Sequence, residues 1–289
     1  MEKTDRSHIV RATANAVYNV PMHIEAIHRG QARSNTLVPS IVDAMFADEC
    51  LMDGLRVAIP RPEVHVVVRF GPSASRGLDI HVLGARQRVT RKVIRKGQWT
   101  ILARLQLGKA SAVLGVPPST FNGRVVPVEE VWSAAETQNL YDDLATAKKA
   151  TDAAMILERA IAARVSPDDL TSGRSLLAGE AAKKLLNASV SEVASDLRIS
   201  ERHLRRVFLE TVGMSPKTFA RLMRFSRATD LARESSHASW ASIAVAAGYY
   251  DQAHLIEDFH VFAGATPEAF RRELGNVGML KYKDRAAQL

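Results

Sequence analysis

The sequence is nearly free of cysteine, and this scarcity disfavours several classes of protein. Among the 289 residues Cys50 is the single cysteine, so no intrachain disulfide can form and a reducing cytosol is expected. A zinc site is improbable, because such sites usually include cysteine thiolates, and His23, His28, His65 and His81 show no tight ligand spacing. We therefore predict no metal and no cofactor.

Long apolar runs and catalytic motifs are also missing. No stretch of about 18 apolar residues occurs, so no membrane-spanning helix is expected. The first 20 residues are polar and lack the apolar core of a signal peptide. Neither a phosphate-binding GxxxxGKS or GxxxxGKT loop nor a GxSxG nucleophile motif is present. We expect a cytoplasmic protein that is not an enzyme.

The sequence does contain an internal repeat near its C-terminus. Eight positions recur 51 residues later with the same or a chemically similar residue. The first set is Ser200, Leu204, Phe208, Gly213, Ser215, Pro216, Phe219 and Arg221; the second is Asp251, Leu255, Phe259, Gly264, Thr266, Pro267, Phe270 and Arg272. Self-similarity at a fixed offset indicates one structural unit used twice.

Each repeat predicts a short helix, a turn and a second, capped helix. Ser200 and Asp251 are of residue types that cap helix N-termini, and the leucine and phenylalanine four residues apart share one helical face. The glycine predicts a helix end, and the Ser-Pro or Thr-Pro pair predicts the start of the next helix. Apolar residues at helical spacing precede each cap. This is the outline of a helix-turn-helix, whose second helix enters the major groove of DNA.

Residues from about Ser175 to Leu274 resemble the DNA-binding domain of AraC/XylS-type transcription regulators. The matching text is ISERHLRRVFLETVGMSPKTFARLMRFSRA and then IAVAAGYYDQAHLIEDFHVFAGATPEAFRREL. The resemblance implies two helix-turn-helix units that address successive major-groove segments of double-stranded DNA. The helix that joins them is predicted from about Pro216 to Arg233, roughly 27 Å long, compared with roughly 34 Å between groove sites one turn apart.

Charge is distributed unequally between the two units. The whole chain carries +8, which suits a polyanionic partner. Ser191–Arg227 holds eight bases and four acids, a balance of +4, whereas Trp240–Leu274 holds two bases and five acids, a balance of −3. Because neutralisation of DNA phosphates dominates non-specific affinity, we expect the first unit to contribute most of the affinity for DNA.

The resemblance and the helical spacing indicate which side chains contact DNA. Arg202 and Arg206 are expected to read base edges from the first recognition helix, with Arg205 at a base or the backbone. Lys217 and Arg221 are placed for phosphate contacts. The predicted DNA-binding set is Ser200, Arg202, Arg205, Arg206, Lys217, Arg221, Gln252, His254 and Ile256. An ordinary solvated basic face is the alternative for these cations.

The second recognition helix departs from the family pattern. Gln252 could pair with adenine and Ile256 could touch a thymine methyl group, while His254 matches a frequent family histidine. Glu257, however, stands where the family commonly has a base. A glutamate there could accept a hydrogen bond from cytosine N4, but a carboxylate more often repels the DNA backbone.

The front two-thirds of the chain predicts a β-rich domain. Predicted strands are Leu55–Pro60, Val64–Phe70, Leu78–Leu83 and Trp99–Leu107, and predicted helices are Gly108–Leu114, Ala134–Ala147 and Asp152–Arg164. The segment Arg86–Lys96 holds six bases and no acid, which favours a solvated hairpin face over a surface for an anionic ligand or accessory DNA. The fold class is α+β, with an N-terminal β-rich regulatory domain with flanking helices and a C-terminal all-α domain of two helix-turn-helix units joined by a long helix.

We predict five segments: an N-terminal extension (1–20), a ligand-sensing or dimerisation domain (21–165), a linker (166–174), the DNA-binding domain (175–274) and a tail (275–289). The resemblance implies a transcription activator that contacts RNA polymerase, with a small-molecule effector or a homodimer served by the front domain. Two alternatives stay open. One is an interaction protein that no longer binds DNA, and the other is a sensor built on a reactive Cys50.

Overall fold

The computed structural model describes residues 23–29, 41–166, 168, 172–235 and 237–276. These form a strand-rich front part and a helical C-terminal part, so the predicted α+β class is confirmed. The predicted extension (1–20) and nearly all of the predicted tail (275–289) lie outside the described residues, as does part of the predicted linker (166–174).

The strands of the described front part form two antiparallel sheets. In chain order they are β1 His23–Arg29, β2 Val42–Glu49, β3 Gly54–Ala58, β4 His65–Phe70, β5 Leu78–Leu83, β6 Thr90–Ile94, β7 Trp99–Leu105 and β8 Val125–Pro127. Six strands follow the order β1-β2-β7-β4-β5-β8, and β3 pairs with β6 in a separate ribbon. The four predicted strands are confirmed as β3, β4, β5 and β7, whereas β1, β2, β6 and β8 were not predicted.

The central strand β4 is covered on both faces. Val66 and Val68 are fully buried on the face that packs against helices, and Val67 lies among apolar residues of the other face. The covering helices are α1 Ala110–Leu114, α2 Ala134–Ala145 and α3 Ala150–Ala163. Full burial of one aliphatic side chain contributes about 1.5–3 kcal/mol, so this layered core holds the front part together.

The C-terminal part is helical throughout. Its helices are α4 Gly173–Lys184, α5 Val190–Asp196, α6 Glu201–Val212, α7 Pro216–Glu234, α8 Trp240–Ala247, α9 Gln252–Ala263 and α10 Pro267–Asn276. The predicted joining helix is confirmed as α7 and is one residue longer than expected. Its 19 residues span about 29 Å.

One apolar cluster runs through both repeat units, with α7 as their shared support. Phe225 of α7 is fully buried, and its ring centroid lies 4.9 Å from that of Phe259 and 5.3 Å from that of Phe262. Val57 and Ala85 of the front part, both 0% exposed, belong to the same cluster. The front part is therefore packed against the helical part.

Candidate nucleic-acid interface

Both repeat units are built from the same caps. The Ser189 hydroxyl accepts from the Glu192 amide at the start of α5, and Ser239 accepts from the Ser242 amide at the start of α8. The second helix of each unit is capped in the same way. Ser200 accepts from the His203 amide at 3.2 Å, and Asp251 accepts from the His254 amide at 2.9 Å. The predicted caps and the two helix-turn-helix outlines are confirmed.

The turns of the two units use the same backbone conformation with different residues. Arg198 has φ +55 in the first unit and Gly248 has φ +85 in the second. Each precedes the residue whose amide bonds back to the first helix of its unit, Ile199 to the Ala194 carbonyl and Tyr249 to the Ala244 carbonyl. A left-handed conformation costs a non-glycine residue about 1–2 kcal/mol. The first turn therefore accepts a strained residue, and that residue is an exposed cation.

The first recognition helix, α6, separates an apolar face from a basic one. Leu204, Val207 and Phe208 are buried in the helical core. Three arginines are exposed on the other side: Arg202, Arg205 and Arg206. The three guanidinium groups follow one capped helix within its first two turns, so they can reach one groove together.

Two of these arginines have neighbours on their own helix. Arg205 forms an ion pair with Glu201, four residues earlier. Arg206 Nη2 lies 3.2 Å from His203 Nδ1. When that nitrogen is unprotonated it accepts from the guanidinium, which directs the Arg206 side chain along the helix surface. Sequence reasoning left His203 aside, and the structure places its ring beside the Arg206 guanidinium.

The second recognition helix, α9, presents fewer cations. Gln252, His254 and Glu257 are exposed and Ile256 is half-buried. His254 Nδ1 lies 2.7 Å from Asp251 Oδ1, so its ring is tied to the cap. Hydrogen bonds from the His254 amide and ring hold the pKa of Asp251 below its usual value. The cap is therefore a carboxylate, which adds negative charge at the end of the helix that would approach DNA.

Lys217 and Arg221, predicted at the start of the joining helix, have different surroundings. Lys217 is exposed. Arg221 is engaged by Asp258, with Nε at 2.8 Å and Nη2 at 2.6 Å from Oδ1. Its guanidinium also lies 5.7 Å from the ring centroid of Phe262. Arg221 thus ties α7 to α9, and its phosphate contact stays a prediction.

A buried polar network completes this connection. Asp258 is 3% exposed, and its Oδ2 accepts from the Tyr249 hydroxyl at 3.1 Å. Burial and the Asp258 carboxylate raise the pKa of Tyr249, so the phenol stays protonated and donates. Sequence reasoning missed Asp258 as a structural residue. The available signal was an acid within the apolar stripe of α9, where a buried charge needs a partner.

The second unit also exposes large side chains that the sequence reasoning passed over. Tyr250 is 91% exposed beside the cap of α9, and Val245 on α8 is 74% exposed. The Tyr250 ring packs edge-on against His254, with centroids 6.1 Å apart. These residues extend the surface around the start of α9 with groups that carry no charge.

The front part meets the joining helix at a small basic cavity of about 20 Å³, room for about one water molecule. Its lining includes His65, Arg61, Arg86, Arg104 and Arg233. Burial and the nearby Arg86, Arg104 and Arg61 hold the pKa of His65 well below 6.5. His65 is therefore neutral in the folded protein at neutral pH.

Two arginines of the basic segment Arg86–Lys96 form ion pairs within the protein. Arg91 pairs with Glu273 of α10, and Arg95 pairs with Asp53. Within the described residues, no group of three or more His, Cys, Asp or Glu side chains is placed to hold a metal ion. None of the described helices has the length and apolar character needed to cross a membrane.

The comparisons with known proteins agree with the repeat. Residues 193–273 match the family model of a helix-turn-helix domain, and the C-terminal part is of the AraC type that its motifs predict. Among curated proteins none matches the chain significantly.

Solved structures of ToxT from Vibrio cholerae are similar at a low level. ToxT from strain O395 is 10% identical, with a TM-score of 0.40, over 81% of this chain and 97% of its own. Unsaturated fatty acid bound wild-type ToxT from strain SCE256 is 8% identical, with a TM-score of 0.37, over 89% of this chain and 96% of its own. At these values the likeness supports no inference about the ligands or targets of this chain.

Proposed function

We propose that this chain, whose residues 193–273 form a helix-turn-helix domain, is a sequence-specific transcription regulator that reads DNA mainly through its first unit. The observation that carries the proposal is the exposed basic face of α6, formed by Arg202, Arg205 and Arg206 on a capped helix. Arginine bonds guanine O6 and N7 in the major groove and also grips phosphates. Each arginine can therefore serve base reading or backbone contact.

The charge difference between the units supports unequal use of the two recognition helices. The second unit carries −3 against +4 in the first, and the Arg221 guanidinium is committed to Asp258. Gln252, His254 and Ile256 remain the candidate DNA contacts of the second unit. We expect the second unit to refine sequence preference and to add little phosphate attraction.

In vitro selection of bound DNA by the full-length protein, followed by footprinting, tests the proposal. A bipartite site with two elements about one helical turn apart would show that both units engage. A single short element would mean that the first unit works alone. Failure to enrich any sequence, with or without candidate ligands, would contradict the proposed function.

The front part is proposed to regulate the helix-turn-helix domain, by sensing a small molecule or by pairing two subunits. The proposed boundaries stay at 21–165 for this domain, 166–174 for the linker and 175–274 for the DNA-binding domain. Activation beside RNA polymerase, in the cytoplasm at the nucleoid, is the mode we propose. In vitro transcription with purified RNA polymerase, from a promoter that carries the selected DNA site, would distinguish activation from repression.

An interaction protein that has lost DNA binding is the second candidate function. It is favoured only by the acidic second unit with its exposed Glu257. DNA affinity that falls steeply between low and moderate salt would remove this candidate, because such a slope reports neutralised phosphates.

A reactive-cysteine sensor has less support. Cys50 is 1% exposed and its thiol donates to the Met52 carbonyl at 2.9 Å. Reactive cysteines usually sit in partly exposed sites. Treatment with a thiol-alkylating agent should leave DNA binding unchanged. If the agent abolished DNA binding by the wild-type protein but not by the Cys50→Ser variant, the sensor function would be supported.

A further inference from the structure

Two segments of the front part contact the C-terminal ends of both recognition helices. The Val89 amide donates to the Phe262 carbonyl at 2.7 Å, and Arg91 Nη2 donates to the Ala263 carbonyl at 3.2 Å. These are the last two residues of α9. At the other unit, Asn122 Nδ2 donates to the carbonyl of Gly213, the residue that ends α6.

These contacts satisfy groups that a helix leaves open. The last carbonyls of a helix have no partner within it, and a cation beside them is favoured by the helix dipole. Arg91 adds a two-point ion pair with Glu273 of α10, with Nε at 2.5 Å from Oε1 and Nη2 at 2.7 Å from Oε2. A single side chain therefore holds the end of α9 and the helix that follows it.

The two contacting segments are joined to each other. The Gly123 amide donates to the Ala85 carbonyl at 2.9 Å, and the Gly84 amide donates to the Arg124 carbonyl at 3.1 Å. The chains approach so closely that a Cβ on Gly84 would lie 2.1 Å from the Phe121 carbonyl oxygen. Residues 84–91 and 118–124 thus form one connected unit, which we call the bracket.

The bracket is also held by burial. Ala85 is 0% exposed and lies in the apolar cluster of the helical part, together with Val57 of β3. At the first unit, a Cβ on Gly213 would lie 2.6 Å from Asn122 Oδ1 and 3.2 Å from the Pro118 carbonyl carbon. An added Cβ at Gly213 would therefore displace the Asn122 side chain and press on the backbone of residues 118–119.

We propose that the bracket sets the separation and orientation of the two recognition helices, and thereby the spacing between the two DNA elements that the protein binds. This proposal rests on the proposed function. Without the bracket, the two units are joined by α7 and the contacts of the helical core. The bracket adds a second connection at the C-terminal ends of α6 and α9, while Arg202 and Gln252 lie at the opposite, N-terminal ends. The spacing between the two DNA elements is thus set by residues of the bracket, which need not contact DNA themselves.

The test is a set of duplexes in which the spacer between the two selected elements is lengthened or shortened by one or two base pairs. We expect the wild-type chain to prefer one spacer by about tenfold or more, comparable to the loss of one base contact. Asn122→Ala combined with Arg91→Ala should reduce that preference to about threefold or less. An unchanged spacer profile in this variant would overturn the proposal.

A matched pair of glycines separates the bracket from ordinary helix ends. Gly213 and Gly264 end α6 and α9 at equivalent positions, with φ +86 and +68. No atom lies within 4 Å of a Cβ built on Gly264. Gly213→Ala should therefore broaden the spacer profile, whereas Gly264→Ala should keep it narrow. Equal profiles for the two variants would contradict the bracket.

A second measurement makes the outcome independent of DNA binding. Leu209 on α6 and Val261 on α9 are about half exposed, and both can be replaced by cysteine for spin labels in a Cys50→Ser background. We expect one narrow distance distribution for the otherwise wild-type chain, and a broad one for the Asn122→Ala, Arg91→Ala variant. Narrow distributions in both would overturn the proposal even if DNA binds. A broadened distribution without any DNA binding would support the bracket and contradict the proposed function.

Discussion

At the scale of single residues, Arg206, which we propose reads DNA, has a neighbour that limits its motion. His203 Nδ1 lies 3.2 Å from its guanidinium, so part of the rotamer freedom of Arg206 is removed before DNA arrives. Arg206→Ala should weaken binding to the selected site by about 1–3 kcal/mol if the residue reads a base. A mobility-shift titration on selected and scrambled duplexes measures this loss.

The comparison duplex decides what Arg206 contacts. If Arg206→Ala weakens both duplexes equally, the residue touches only phosphate. Arg159→Ala, which removes an exposed arginine from α3 of the front part, controls for the change in net charge and should leave both affinities nearly unchanged.

Asp258 is the residue on which the placement of α9 depends. It accepts from Arg221 and from Tyr249 while only 3% exposed. Asp258→Asn should lower the free energy of unfolding by about 1–3 kcal/mol, less than a fully buried pair would lose, because Arg221 is 35% exposed and stays partly solvated. Urea unfolding measures the change.

The matched variant for this prediction is Glu180→Gln on α4, where the carboxylate pairs with Lys183 and both side chains are more than half exposed. An exposed pair contributes about 0–1 kcal/mol. Similar losses in the two variants would show that Asp258 acts as an ordinary surface acid.

At the scale of elements, the turn of each helix-turn-helix depends on one left-handed residue. Gly248→Ala should cost about 1–2 kcal/mol from backbone strain alone, because the nearest atom to a new Cβ, Arg224 Cδ at 3.8 Å, is in ordinary contact. Arg198→Gly in the first turn relieves the same strain but adds freedom to the unfolded chain, so its stability should change by less than about 1 kcal/mol.

Thermal or urea unfolding checks this pair, with Gly179→Ala as the control. Gly179 lies inside α4 with open space around a Cβ, so alanine there should stabilise the protein by roughly 0.5–1 kcal/mol. If Gly248→Ala were stabilising as well, the left-handed turn would not be required.

The elements also show what the sequence could predict. The helices α6, α7 and α9 were predictable because caps, apolar stripes and glycine stops act within a few residues. Strand β6 was not, since Arg91 and Lys92 give Thr90–Ile94 no apolar alternation. It is held by pairing with β3 and by contacts from Arg91 to Ala263 and Glu273, which are 172 and 182 residues away. Contacts over such separations leave no local pattern, and the bracket was therefore invisible in the sequence.

At the scale of the whole molecule, buried histidine makes folding sensitive to acid. The pKa of His65 is well below 6.5 in the folded protein, so the unfolded chain binds a proton that the folded chain does not. Above about pH 6.5 the neutral His65 leaves the free energy of unfolding at its full value. As the pH falls below about 6.5, the free energy of unfolding decreases by up to about 1.4 kcal/mol per pH unit. Urea unfolding at about pH 7.5 and about pH 5.5 measures this loss, and His65→Gln should make the dependence shallower.

The balance of charge over the whole chain bears on whether the second unit approaches DNA at all. The chain carries +8, but the region from Trp240 to Leu274 carries −3, and Glu257 is exposed on its recognition helix. Glu257→Arg exchanges a repelled carboxylate for a cation able to neutralise a phosphate. If α9 lies against the duplex, non-specific binding should tighten, and the slope of log affinity against log salt should steepen by about one unit. Asp142→Arg, the same charge change on α2 of the front part, controls for the long-range field, which salt screens within about 10 Å. If Glu257→Arg behaves like Asp142→Arg, the second unit stays away from the backbone, and the first unit alone holds the protein on DNA.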